Sequence, residues 1–454
     1  MEQKTVFFII SNRVRISTML RTDMFSLLQK RGVRIVILSR FGADETFIKE
    51  FSGTHVHFEP LGKSPSGFLV SASMRIRDTL LKYDDPELSR TLHTLRNIRT
   101  GRVVGWRMRD AVLRRLRQIA HPLLPTITRM FTIVERILFA NKNYAELFRL
   151  YKPSAVLLGT LGSEMEDVVF ISHADTFGVP TIVADLPWSY VDNRMFSHPR
   201  TATRIIAWNE QMKEQLVASR GIPADAIAVA GTARFDHYAG AAPAMSREEC
   251  ITMLGGNPHK KLITYALVDD EWHPRQEHVV EWLLDMISQN AFGAEAQLLV
   301  RAGPKQQKLE LYKKRAAEHP ELLLDDPTKL SDQARLTSIL SASDLLISVG
   351  SSLALDAAIL ARPMLYLGFT DPERHDPFDP ILAQMYEQPF LVRAIATSGI
   401  RVAKSGEEFR TLATAALQSA ASEETGRKKL IAEFLSGGMG GGKRIAEEIM
   451  RVIS

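Results

Sequence analysis

The chain has 454 residues, 45% of them hydrophobic and 24% charged, with 57 basic side chains against 52 acidic ones. These values fit a globular protein of two or three domains and exclude a disordered, collagen-like or disulfide-built chain. A net charge of +5 is too small over this length to argue for nucleic acid, and one cysteine, Cys250, allows neither an intrachain disulfide nor a cysteine-rich zinc site. The lone cysteine fits a reducing compartment. MEQKTVFFII at the start lacks the length and cleavage site of a signal peptide. No apolar stretch reaches the ~18 residues of a membrane span, so a cytoplasmic location is expected.

In chain order, TVFFII (5–10) and VRIVILS (33–39) are short apolar runs rich in β-branched residues. Between them Met19, Met24, Leu27 and Leu28 form one helical stripe over Met19–Arg31, closed by Gly32. Strand, helix and strand in this order predict a βαβ unit. THVHFEPL (54–61), SAVLLGTLG (154–162), PTIVAD (180–185) and RIIAWN (204–209) continue the pattern, with a helix over 164–177. A helical insertion is expected over about 66–150. Within it Arg96 to Arg117 carries eight arginines against one acid, Asp110. IAVAG (227–231), KLITYAL (261–267), QLLVRAG (297–303), LLISVG (345–350), PMLYLG (363–368) and IRVAK (400–404) then repeat the alternation, with helices over 276–290, 305–318, 334–341, 353–360 and 407–421. The fold class is α/β, with two doubly wound Rossmann-like domains. The expected divisions are 1–200, 201–435 and a glycine-rich linker with a terminal helix over 436–454.

Three segments carry candidate chemistry. In LLISVGSSLALDAAILARP a strand ends at Gly350, and Ser351 and Ser352 lead into a helix whose free N–H groups suit a phosphate. In QLLVRAGPKQ, Arg301 lies at a strand's carboxyl end and Lys305 follows, both suited to neutralise a diphosphate leaving group. In AVAGTARFDHY, Gly231 and Thr232 open a loop at another strand end, beside Arg234 and Asp236. GGMGGGKR (437–444) resembles a phosphate-binding loop but lacks the following Ser or Thr and any preceding buried strand, so it reads as a linker. The twelve histidines form no metal-ligand motif, and no metal is expected.

Together, AWNEQMKEQL, GIP, GTARFD, KLITYAL, QLLVRAGPKQ and SASDLLISVGSSLALDAAILARPML resemble GT-B-type enzymes of surface-polysaccharide biosynthesis. That superfamily includes glycosyltransferases, CDP-glycerol glycerophosphotransferases, Kdo transferases and UDP-N-acetylglucosamine 2-epimerases. The resemblance is strongest over 200–410. It implies two domains facing a central cleft, the nucleotide held mainly by the second and the acceptor by the first, a terminal helix crossing back to the first domain, and catalysis without a metal or other cofactor. Relatives carry Arg-X-His-Pro where this chain reads VRAGPK, so Gly303 stands at the histidine position.

The resulting expectation is a glycosyltransferase that moves a sugar from a UDP-, CMP- or CDP-linked donor to a glycan or lipid-linked acceptor. Gly231, Thr232, Arg301, Lys305, Gly350, Ser351 and Ser352 would hold the nucleotide and its phosphates. An acceptor hydroxyl needs a base in the first domain. Asp23, near Arg13, Arg15 and Arg21, and Glu164 are equal candidates, with Asp185 and Asp192 behind them. Asp269, Asp270 and Glu271 suit acceptor or ribose hydroxyls. Arg13, Arg114, Arg115 and Arg117 are assigned to the acceptor or to an anionic membrane surface, and nucleic acid is disfavoured because Trp106 is the one aromatic among the arginines. The alternatives are a CDP-glycerol glycerophosphotransferase-like or nucleotide-sugar 2-epimerase-like enzyme on the same fold, or a non-catalytic protein that binds membrane or anionic polymer.

Overall fold

The computed structural model describes residues 3–73, 97, 115, 119, 121–162, 164–189, 202–220, 222–239, 243–303, 306–326, 333–419, 423–435 and 438–454. These residues form two compact units. The first takes those within Met1–Ser89, Trp106–Ala239 and Leu435–Ser454, and the second those within Arg90–Gly105 and Gly240–Phe434.

The first unit is built on a parallel sheet of β1 (Thr5–Ile10), β2 (Arg34–Ser39), β3 (Val56–Pro60), β4 (Ala155–Leu158), β5 (Thr181–Val183), β6 (Arg204–Ala207) and β7 (Ile227–Val229). Their spatial order is β3-β2-β1-β4-β5-β6-β7. β1 is buried along its whole length, as its unbroken apolar sequence requires of a parallel strand covered on both faces. It pairs with β2 from Thr5↔Arg34 to Ile10↔Ser39 and with β4 on its other side. The order reverses direction between β1 and β4, which is where an open α/β sheet parts its loops to form a crevice at the strands' carboxyl ends.

Three expectations are corrected here. The helix read over Met19–Arg31 starts at Asp23. It is preceded by a wide π-type turn, Ile16–Leu20, in which the Arg21 N–H donates to the Ile16 carbonyl at 3.0 Å. The domain boundary lies near residue 240 and not 200, because β6 and β7 add to the first sheet, Ile205 pairing with Ile227. The glycine-rich segment is no slack linker. Its amides at Gly440, Gly441 and Gly442 all donate to the Asp236 carboxylate, at 2.8, 3.0 and 2.5 Å, and so fix the start of the terminal helix, Gly441–Ile453. Ile445, Ile449 and Ile453 of that helix enter the core that also contains Val6, Phe8, Met24 and Leu28. Glycine is required at 441, where a Cβ would come 2.2 Å from the Thr232 carbonyl oxygen.

The second unit holds β8 (Lys261–Ala266), β9 (Ala296–Arg301), β10 (Leu322–Asp325), β11 (Leu345–Ser348), β12 (Met364–Leu367) and β13 (Arg401–Ala403) in the order β10-β9-β8-β11-β12-β13. All pairs are parallel, and the direction reverses between β8 and β11. β10, the helix Asp379–Tyr386 and the helix Pro389–Ala396 add to the elements expected from sequence. Of the arginine-rich stretch 96–117, Asn97 and Arg115 are described, the first buried and the second exposed, and the helix Leu124–Leu138 follows. Arg114, Arg117, Lys305 and Asp192 lie outside the described residues.

Candidate active site

A polar cluster of the first unit sits where its sheet reverses. Arg15, three residues past the Asn12 cap that follows β1, is only 2% exposed. Burying a guanidinium requires partners. Arg15 has a bidentate pair with Asp167, both N–O distances 2.7 Å, and lies 3.2 Å from Glu164. Burial opposes its charge, but the carboxylates of Asp167, Glu164 and Asp185 outweigh that cost and raise its pKa further above the ordinary arginine value. The close approach is possible because residue 159 has no side chain: a Cβ there would lie 2.4 Å from the Arg15 Cζ.

Two of the acids lie at the start of the helix Met165–Phe177, where carboxylates also meet the positive end of the helix dipole. Glu164 precedes its first residue and accepts hydrogen bonds from the Ser11 hydroxyl and, at 2.8 Å, from Asn12 Nδ2. Asp167 also accepts from the Thr160 amide and hydroxyl, at 3.0 and 2.5 Å. Its capacity is therefore spent on holding Arg15 and the β4 loop.

Asp185 follows β5 and accepts from the Thr18 hydroxyl at 2.6 Å. Burial pushes its pKa up to about 6, against the lowering effects of Thr18, Arg15 and Arg234, with Glu164 adding to the rise. A carboxylate in this state is ionised at neutral pH yet basic enough to accept a proton. Among the described residues, no cluster of three or more His, Cys, Asp or Glu side chains is arranged to hold a metal ion.

The other first-unit candidates separate from this cluster. Asp23 is exposed on the first turn of its helix, where a Cβ on Gly442 would come 3.2 Å from the Asp23 Cβ. Arg13 is exposed over the Phe41 ring at 5.9 Å. Gly231 and Thr232 belong to the first sheet's edge and not to a nucleotide loop of the second domain. Thr232 is buried under Gly441 and caps the turn Ala233–Tyr238 by accepting from the Arg234 amide at 3.2 Å, while Gly231 faces Arg444. Asp236 receives the three glycine amides.

In the second unit, Arg301 and Gly350 to Ser352 come to the same carboxyl end of one sheet, on strands separated by β8 and hence about 10 Å apart. Arg301 Nε lies 3.5 Å from Asp325 on the neighbouring strand, an acid that Arg335 also grips at 2.8 Å, so much of its charge is already matched. The helix Leu353–Ile359 is only seven residues long, and its first amides have acceptors: Leu353 on the Ser351 hydroxyl at 3.2 Å, Ala354 and Leu355 on the carbonyls of Ser351 and Ser352 at 3.2 and 3.0 Å. The expected set of open helix amides is therefore corrected. A Cβ on Gly350 would meet the Met385 methyl at 3.0 Å, while Ser351 and Ser352 are partly exposed. Beyond β8, Asp270 accepts from Gln306 at 3.1 Å and Asp269 and Glu271 are exposed.

The family described as CDP-glycerol:poly(glycerophosphate) glycerophosphotransferase matches residues 175–371, which span the end of the first unit and more than half of the second. No curated protein sequence matches the chain. Among solved structures, UDP-GlcNAc 2-epimerase from Neisseria meningitidis bound to UDP-GlcNAc is similar with a TM-score of 0.57 at 13% identity, over 98% of this chain and 100% of that one. The S. aureus MnaA-UDP co-structure gives 0.58 at 13%, over 99% and 96% of the two chains. Arabidopsis thaliana UGT89C1 complexed with UDP gives 0.51 at 12%, over 100% of both. With two parallel sheets that each reverse between their first and fourth strands, the chain has the α/β fold of two Rossmann-like domains shared by these GT-B-type structures.

Proposed function

We propose that the protein transfers a nucleotide-activated group to a hydroxyl, and in the first instance a sugar to a glycan or lipid-linked acceptor, without a metal. The cluster of Arg15, Glu164, Asp167 and Asp185 at the reversal of the first sheet carries this reading. Arg15, locked by Asp167, fixes the loops after β1 and β4 against each other. Asp185 takes the proton of the acceptor hydroxyl, whose oxygen attacks the anomeric carbon as the carbon–oxygen bond to the nucleotide breaks. The bonding pair leaves with the nucleotide phosphate. In the second unit, taken by itself, Ser351, Ser352 and the backbone of the loop after β11 offer donors for a nucleotide phosphate, and Arg301 adds the charge that Asp325 leaves unmatched. The UDP and UDP-GlcNAc in the similar structures support nucleotide binding by this chain.

The family match over 175–371 favours a second reading, glycerophosphate transfer, in which the same base serves and the hydroxyl oxygen attacks phosphorus with loss of CMP. Melting the protein with UDP, CMP and CDP identifies the donor base, since a ligand of the folded state raises the melting temperature. Turnover with UDP-sugars, CMP-sugars and CDP-glycerol then separates the two reactions. A chain that responds to no nucleotide, or an Asp185→Asn variant with an undiminished transfer rate, overturns the proposal.

A further inference from the structure

Asp185 is met from the β1 side by two groups three residues apart, the Arg15 guanidinium and the Thr18 hydroxyl. The wide π-type turn Ile16–Leu20 carries Thr18, and its Ile16, Met19 and Leu20 are anchored in the core of the first unit. Turns of this kind recur at functional sites. Thr18 is 7% exposed, and its hydroxyl oxygen lies 2.6 Å from Asp185 Oδ2 and 3.2 Å from the Val14 carbonyl oxygen. A hydroxyl has one proton to donate, and an ionised carboxylate can only accept. The shorter contact, in the range of a charge-assisted bond, therefore takes the proton. Among the described residues, none donates to the second oxygen, Oδ1.

We propose that Thr18 is a positioning residue: by occupying Asp185 Oδ2, its hydroxyl fixes the rotation of the carboxylate and leaves Oδ1 to the acceptor hydroxyl. The inference rests on the reading of Asp185 as the base. As transfer proceeds, the acceptor O–H bond breaks, its electron pair stays with the attacking oxygen, and the proton ends on Oδ1. The Thr18 bond then has a neutral acceptor and weakens, and the Val14 carbonyl offers the same hydroxyl an alternative without movement of any heavy atom. The charges that act on Asp185 are Arg15 and Arg234, which favour its ionised form, and Glu164, which opposes it. They act through space, whereas Thr18 alone among the described residues donates a hydrogen bond to this side chain.

The test compares Thr18→Val, which keeps the branched shape and removes the hydroxyl, with Thr18→Ser, which keeps the hydroxyl, in the parent and in Asp185→Asn. Thr18→Val should lower kcat about tenfold with KM little changed, and should move the acid limb of the pH–rate profile to higher pH. Thr18→Ser should recover most of the rate and the parent's profile. Added to Asp185→Asn, Thr18→Val should cost little further rate, because the group it acts through is already gone. Melting reads the carboxylate without turnover. The offset between Thr18→Val with and without Asp185→Asn should keep growing above pH 6, where that between the parent and Asp185→Asn has levelled off. An Asp185→Asn variant that transfers like the parent overturns the reading of Asp185 itself. Where Asp185 is required, the assignment of Thr18 alone is overturned by a Thr18→Val variant with the parent's rate and acid limb, by an equal loss in the Asp185→Asn background, or by a Thr18→Ser variant that recovers nothing.

Discussion

Asparagine at position 185 should make the protein more stable and stop its reaction. Burial raises the Asp185 pKa from 3.8 to about 6 in the folded protein. Above pH 6 the folded chain therefore bears the cost of an ionised carboxylate that the unfolded chain solvates freely. Roughly two pKa units correspond to about 3 kcal/mol. Because the folded value is the higher one, this cost is absent below about pH 4, develops between pH 4 and 6, and is constant above. Asparagine is always neutral and can still accept from Thr18. The variant should thus melt with the parent near pH 4 and roughly 5–10 °C above it at pH 8, while transfer falls by about a hundredfold or more. Parent activity should rise through an apparent pKa of about 6. Melting curves at several pH values with the parent as control decide it. A variant that melts lower than the parent at pH 8, or by the same offset at every pH, refutes the reasoning.

Arg15→Lys keeps the charge but cannot span both oxygens of Asp167, and should cost about 3–5 kcal/mol together with activity, read by chemical denaturation and turnover. Gly441→Ala should destabilise the first unit by about 1–3 kcal/mol, because its Cβ would sit 2.2 Å from the Thr232 carbonyl oxygen. Asp236→Ala leaves the three glycine amides without their carboxylate and should cost about 2–4 kcal/mol, with faster proteolysis near residue 440. A paired Ser351→Ala, Ser352→Ala change should weaken nucleotide binding about tenfold in titration calorimetry and cost about 1 kcal/mol of stability, since the Leu353 amide loses the Ser351 hydroxyl.

What the sequence made legible was local. Strands buried on both faces, such as TVFFII, announce themselves by unbroken apolar runs, and so does their alternation with helices. Which sheet a strand joins is not written in it: β7 reads like any strand of the second unit, and its partner Ile205 lies 22 residues earlier. Glu164 was recognisable as an acid after a strand. The weight of Asp185 was not, because its raised pKa depends on burial among side chains from three other loops. Arg15 looks like one of several surface arginines until Asp167, 152 residues away, is placed beside it. The glycines at 440–442 look flexible for the same reason, since the carboxylate that orders them is more than 200 residues distant.

The terminal helix also constrains how the polypeptide can mature during synthesis. Ile445, Ile449 and Ile453 complete a hydrophobic core whose other members include Val6 and Phe8. The first unit therefore cannot close this core until residues 441–453 have been made, and the second unit, which precedes them in the chain, is free to consolidate first. That inverts the usual vectorial order of domain folding. It also means that losing residues 441–453 would cripple the unit whose first strands were made before the second unit.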